Sequence, residues 1–134
     1  MIYLLDSNFC IQHLRGRNVL VRQRLSAKPL HEIRLCSMVK AELYLGSLRS
    51  ANPPANRAKV DGFIAPYLSL PFDDAAADTH ANIRHHLETL GTPIGPHDLQ
   101  IAAIALLHRC TLVTHNTTEF SRVPALVLED WELP

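Results

Sequence analysis

Three acidic residues stand where a globular chain has little use for charge. Asp6 ends the apolar run Ile2–Leu5 in MIYLLDSNFC. A carboxylate taken out of water is costly unless something pairs with it. Taken alone, Asp6 reads equally well as a turn former or as the cap of a following helix. Glu42 has Met38, Val39, Leu45 and Gly46 three and four positions away. On a helix these are its neighbours, so its carboxylate is expected on the core-facing side. Asp98, in GPHDLQIAAIALL, has Ile101, Ala102 and then Ala105 on its own face. An Asp in a first turn after Pro96 is also favoured by the helix dipole alone, by about 0.3–1 kcal/mol.

Together the three carboxylates point to a cation. Two carboxylates about 4 Å apart repel by about 4 kcal/mol at an effective dielectric near 20. Sharing a proton relieves a pair; for three or more acids a hard divalent ion is the better compensator. Mg²⁺ or Mn²⁺ prefers oxygen ligands and needs neither His nor Cys. Such a site suits phosphoryl chemistry. After the apolar run TLVT the chain adds His115, Asn116 and, a little further on, Glu119. Asn116 is closer to the strand end and is expected to touch the cation's waters or the scissile phosphate. Glu119 is expected to act from behind it.

The elements that must position these residues alternate. Ile2–Leu5, Glu32–Ser37, Leu68–Phe72, TLVT and ALVLE read as strands. Asn8–Leu14, Val19–Ala27, Met38–Arg49, Arg57–Tyr67, the stretch AAADTHANIRHHLETL and His97–Arg109 read as helices. Ser37 is expected to cap the third helix, Asp73 or Asp74 the fifth, and Gly91 to stop it. SANPPAN and HNTTEFSRV read as loops. No strand pair carries a hairpin turn, so the pattern predicts an α/β fold with a mainly parallel central sheet between two helical layers. In such sheets ligands bind beyond the carboxyl ends of the strands. Asp6 and Asn116 follow strands, Glu42 lies about one turn into a helix that follows one, and Asp98 opens the helix leading back into TLVT.

A chain of 134 residues, 47% hydrophobic and 19% charged, is one domain with a real core, spanning 1–134. The 13 basic and 13 acidic residues cancel, so the totals advertise no polyanion partner. Ten of the basic residues are Arg, the phosphate-recognising type. Cys10, Cys36 and Cys110 form no CxxC pair and read as buried thiols in a reducing compartment. No signal peptide or membrane span is evident, and a soluble cytoplasmic protein is expected.

LLDSN at the start, AEL around Glu42, GPHDLQIAAIAL around Asp98 and TLVTHNTTEFSRVPALVLEDW at the end resemble, in order and spacing, the PIN-domain ribonuclease toxins of the VapC type of VapBC toxin–antitoxin pairs. The likeness is nearest to the branch that cuts initiator tRNA in its anticodon stem-loop. It implies a three-layer α/β/α PIN-like fold and a Mg²⁺- or Mn²⁺-dependent endoribonuclease. It also implies a homodimer and a VapB antitoxin whose C-terminal segment covers the active site. By position, Asp6, Glu42 and Asp98 would be the metal-binding acids, with Ser7 and Asn8 supporting the first. Where many PIN domains place an Asp after the last motif strand, Asn116 stands here.

The eight histidines show no zinc pattern: His85 and His86 point about 100° apart on a helix, and no HExxH or Cys/His set occurs. His97 and His115, each beside a candidate site residue, are open to a phosphate contact or to a plain solvent turn. Arg15, Arg17, Arg22 and Arg24 in RGRNVLVRQR could grip phosphates, meet an acidic partner or simply face solvent. Trp131 is expected to pack the terminus. Receiver-domain, P-loop, dinucleotide and haloacid-dehalogenase readings each lack a required residue. The remaining rival is a non-catalytic RNA- or protein-binding module whose acids hold a structural cation.

Overall fold

The computed structural model describes all 134 residues. Five strands form one sheet: β1 (Tyr3–Leu5), β2 (Ile33–Cys36), β3 (Leu68–Leu70), β4 (Thr111–Val113) and β5 (Leu128–Glu129). Their order is β3-β2-β1-β4-β5 and every pairing is parallel. Side chains alternate across a strand, yet Tyr3, Leu4 and Leu5 are all buried, as are Thr111, Leu112 and Val113. Both faces of the central strands are therefore covered, as a parallel sheet requires, and the α/β/α expectation is met. Strand order reverses between β1 and β4, whose register sets Tyr3 opposite Thr111 and Leu5 opposite Val113. Crevices at such a reversal are where open α/β sheets bind ligands.

The helices are α1 (Ser7–Arg15), α2 (Val19–Ser26), α3 (Ser37–Leu48), α4 (Pro53–Ile64), α5 (Asp74–Thr89), α6 (Pro96–Leu107) and the single turn α7 (Thr117–Phe120). Their ends follow from local chemistry. Asp6 caps α1 by accepting from Phe9 N, and Asp73 caps α5 by accepting from Ala76 N. Gly16 closes α1 at φ 67°, its N–H reaching the carbonyls of Gln12 and His13.

Four expectations need correction. Ser37 is the first residue of α3, not its cap; Cys36 takes the cap position with no side-chain bond. SANPPAN is not all loop, because Asn52 caps α4 and Pro53 and Pro54 fill its first turn, where missing N–H groups cost nothing. HNTTEFSRV contains α7. ALVLE shrinks to Leu128–Glu129, since Ala125 sits at φ 66° and cannot extend the strand.

A cluster of 29 buried hydrophobic residues fills the interior. Trp131 joins it, its ring 5.1 Å from Tyr3 and 5.5 Å from Phe9. The three cysteines are buried and free, as expected. No helix is long and apolar enough to cross a membrane.

Candidate active site

Asp6 leaves the carboxyl end of β1 with 4% of its surface exposed. Its Oδ1 accepts from Phe9 N at 2.8 Å and its Oδ2 from Thr114 Oγ1 at 2.5 Å. Thr114 Oγ1 in turn accepts from Asn116 N at 3.0 Å. Burial raises the Asp6 carboxyl above its usual range, and the two hydrogen bonds partly offset this. Thr114 is a residue that sequence reading passed over. The signal was available: β1 and β4 run in register, so the polar residue ending the buried run TLVT lies beside Asp6.

Asp98 enters from the first turn of α6. Asn116 Nδ2 lies 3.4 Å from its Oδ2 and 3.2 Å from Glu119 Oε2, so one amide donates toward two carboxylates. The Asp98 carboxyl is pushed up to about 6, first by burial, then by a hydrogen bond and charge from Glu119, then by Asp6 and Glu42. The four acids thus share one electrostatic neighbourhood, and Glu119 stands in it through α7.

Glu42 reaches the group from α3, its Oε1 2.6 Å from His97 Nδ1 on α6, so the pair ties the two helices together beside the acids. His97 is therefore more than a plain solvent turn: its Nδ1 is engaged by Glu42 while the half-exposed ring leaves Nε2 without a partner. The core-facing expectation for Glu42 fails. The buried ridge of α3 is Val39, Leu43 and Ser47, while Leu45 and Gly46 are exposed and Glu42 stands at the rim. Apolar neighbours marked a face that the rest of the chain leaves open.

Ser7 is buried beside Asp6, and its Oγ has no hydrogen-bond partner. Asn8 is exposed and makes no hydrogen bond to Asp6, whose oxygens are taken by Phe9 N and Thr114 Oγ1. Two further acids, unforeseen in the sequence, close the group. His115 Nδ1 lies 2.9 Å from Asp130 Oδ2 and 3.9 Å from Glu132 Oε2, and these partners raise the imidazole above its usual range. Asp130 follows β5 as Asp6 follows β1, which is the sequence signal that was missed.

Carboxylates with a neighbouring amide and an orphaned hydroxyl form an all-oxygen donor set. Those oxygens fit a hard divalent cation, while the two imidazoles at the edge of the group, His97 and His115, are tied to Glu42 and Asp130.

Residues 3–126 match the PIN domain family. The chain is 37% identical over 131 residues to the tRNA(fMet)-specific endonuclease VapC of Salmonella typhimurium, covering 96% of this chain and 97% of that one. It is 35% identical over 134 residues to ribonuclease VapC2 of Rickettsia felis, covering 98% and 99%. Among solved structures, the DNA-bound VapBC of Salmonella typhimurium superposes with a TM-score of 0.92 at 34% identity, over 98% of each chain. The strand-end acids, the parallel sheet and these full-length likenesses agree: the chain belongs to the VapC family of PIN-domain ribonucleases.

Proposed function

We propose that this chain is the toxin of a VapBC-type toxin–antitoxin pair, a Mg²⁺- or Mn²⁺-dependent endoribonuclease that cuts a tRNA in its anticodon stem-loop. In this reading it works as a homodimer in the cytoplasm and is silenced by a VapB-type antitoxin. The observation that carries the reading is the convergence of Asp6, Glu42, Asp98 and Glu119 at the reversal of strand order. The tRNA target is taken from the Salmonella relative, which is named for it.

Asp6, Glu42 and Asp98 would hold the cation. When bound, such an ion polarises a phosphate oxygen, lowers the pKa of a water and steadies the leaving oxygen. The protein's own contribution is positioning. Thr114 and the Phe9 N–H fix both oxygens of Asp6, so this acid cannot turn away. His97 holds Glu42 at the rim, and the Asn116 amide donates to both Asp98 and Glu119. With its N–H groups turned to the acids, the Asn116 amide keeps its oxygen to accept from the cation's waters. Glu119 backs Asp98 from α7.

Purified protein incubated with total tRNA in Mg²⁺, Mn²⁺ or EDTA tests this. Cleavage is expected only with the ions and is expected to map to an anticodon stem-loop. Loss of a carboxylate that merely supports a metal ligand typically costs 10- to 100-fold, so Asp6→Ala, Glu42→Ala and Asp98→Ala should each lose about a hundredfold or more. Near wild-type rates in any two would sink the site. Ion-dependent stability with no cleavage of any RNA would favour the non-catalytic binding module.

A further inference from the structure

A cavity of about 410 Å³ opens next to the acids, lined by Asn8, Gln12 and Arg15 of α1 and by His115, Asn116 and Glu132. It falls at the small end of ligand clefts. Asn8, Gln12 and Arg15 recur at intervals of four and three, so they share one face of α1 and span about 10 Å along it. No hydrogen bond or ion pair within the chain engages their side chains. Arg15 also lines a second cavity, of about 330 Å³, which reaches Glu42 and Lys59. It stands at the wall between the two, in the same cavity as Glu42 and yet unpaired, because Glu42 is taken by His97.

These side chains have the chemistry of a nucleotide. A guanidinium fork matches a phosphate. Carboxamides present both a donor and an acceptor to a base edge. The His115 ring, anchored by Asp130 and 57% exposed, offers a flat face. We infer that this cavity is a subsite for the nucleotide beside the scissile bond: Arg15 grips its phosphate, Asn8 and Gln12 read its base edge, and His115 stacks on the ring. The inference rests on the ribonuclease reading above. An acidic protein segment fits less well. Arg15 is the one permanent cation of this cavity, Glu132 stands in the same wall, and the two amides are neutral. A nucleotide brings one charge to Arg15 and a neutral base to the amides.

The test uses the full chain. A fluorescein-labelled single-stranded 12-mer RNA is titrated into the Asp98→Asn protein, with and without Arg15→Ala, over a range of NaCl. Arg15→Ala is expected to weaken binding about tenfold and to flatten the slope of log K against log salt by about 0.7, the single-strand value for one phosphate. Arg15→Lys should recover the slope but not the full affinity. In the cleaving protein, Asn8→Ala and Gln12→Ala should change the relative rates on four RNAs that differ only in the base beside the cut. Circular dichroism melts confirm that each variant folds. Wild-type cleavage of RNA, with slope and base preference unchanged in the variants, overturns the subsite and leaves the ribonuclease reading intact. No cleavage by the wild type in Mg²⁺ or Mn²⁺ overturns both. Unchanged RNA binding with lost affinity for a co-expressed antitoxin would assign Arg15 to a protein partner and overturn the subsite alone.

Discussion

Thr114 carries no charge at any ordinary pH, yet it controls the most deeply buried acid of the site. Its hydroxyl donates to Asp6 and accepts from Asn116 N–H, so it links two site residues through one oxygen. Thr114→Val keeps the shape and removes the donor. It is expected to cost about 1–3 kcal/mol in urea denaturation, because a buried acceptor loses its partner. It should also lower the cleavage rate about 10- to 100-fold, the usual effect of losing a group that orients a metal ligand. Unchanged activity would show that Asp6 is held well enough by Phe9 N–H alone. Asp98 makes a second prediction, in pH. Its folded-state pKa is about 6 against 3.8 for the free carboxyl, the causes being burial and then the neighbouring acids. Between those values the folded chain keeps a proton that the unfolded chain has lost. Stability contributed this way is present below the unfolded pKa and disappears as pH rises through about 6. In EDTA, the wild type is expected to resist urea better near pH 5 than above pH 7, and Asp98→Asn to flatten that difference. Over the same window Mg²⁺ should become more stabilising, since it competes with the proton. Equal urea midpoints for wild type at both pH values would contradict the shared acidic neighbourhood.

Helix α1 links the two ends of the site, with Asp6 at its cap and Arg15 in its last turn. Gly16 stops it at a φ that side chains avoid, and an added Cβ would lie 3.0 Å from Arg22 Nη2, which donates to Gly16 O. Gly16→Ala is expected to cost about 1–2 kcal/mol, the clash of Cβ in the left-handed region, read as a lower urea midpoint with an unchanged slope. No loss would mean the turn tolerates the left-handed strain. Elements such as α1 were legible because punctuation is local: Asp6, Asp73 and Pro96 each announce an end through their own backbone chemistry, while the same signal at Asn52 was read as loop. Helix α7 was not legible, since one turn of two threonines and Phe120 has weak helical preference and only Phe120 buried. Asp6, Glu42 and Asp98 were singled out because the alternating pattern discloses which strand ends and helix starts share one edge of the sheet. The exposure of Glu42 was hidden, because apolar spacing names a face without saying what covers it. Asp130 directly follows the strand read at ALVLE, so the strand-end argument applied to it as well and was not carried to the last strand; Glu132 lies two residues further on.

The whole molecule is formally neutral, but its charges are sorted, with acids collected at one end of the central strands and arginines that form no ion pair along the neighbouring α1–α2 segment. Its sheet is also built entirely from distant partners. Parallel strands cannot pair through a tight turn, and the Asp6–Thr114 bond joins residues 108 positions apart. Chains dominated by such long-range pairings fold slowly, because loop closure must precede the contacts that reward it. No half of this chain holds all the site's residues, so a partly folded copy is expected to leave RNA uncut. The single tryptophan makes the point measurable, since Trp131 is buried against Tyr3 and Phe9 from the first strand and helix. On dilution from urea, nuclease activity is expected to return with the same time constant as the Trp131 fluorescence change. Activity that returned ahead of the fluorescence would mean the site forms before the two ends of the chain meet. In a protein whose proposed task is to poison its own host, the slowest step of folding then doubles as a timer that keeps every new copy silent until it is whole.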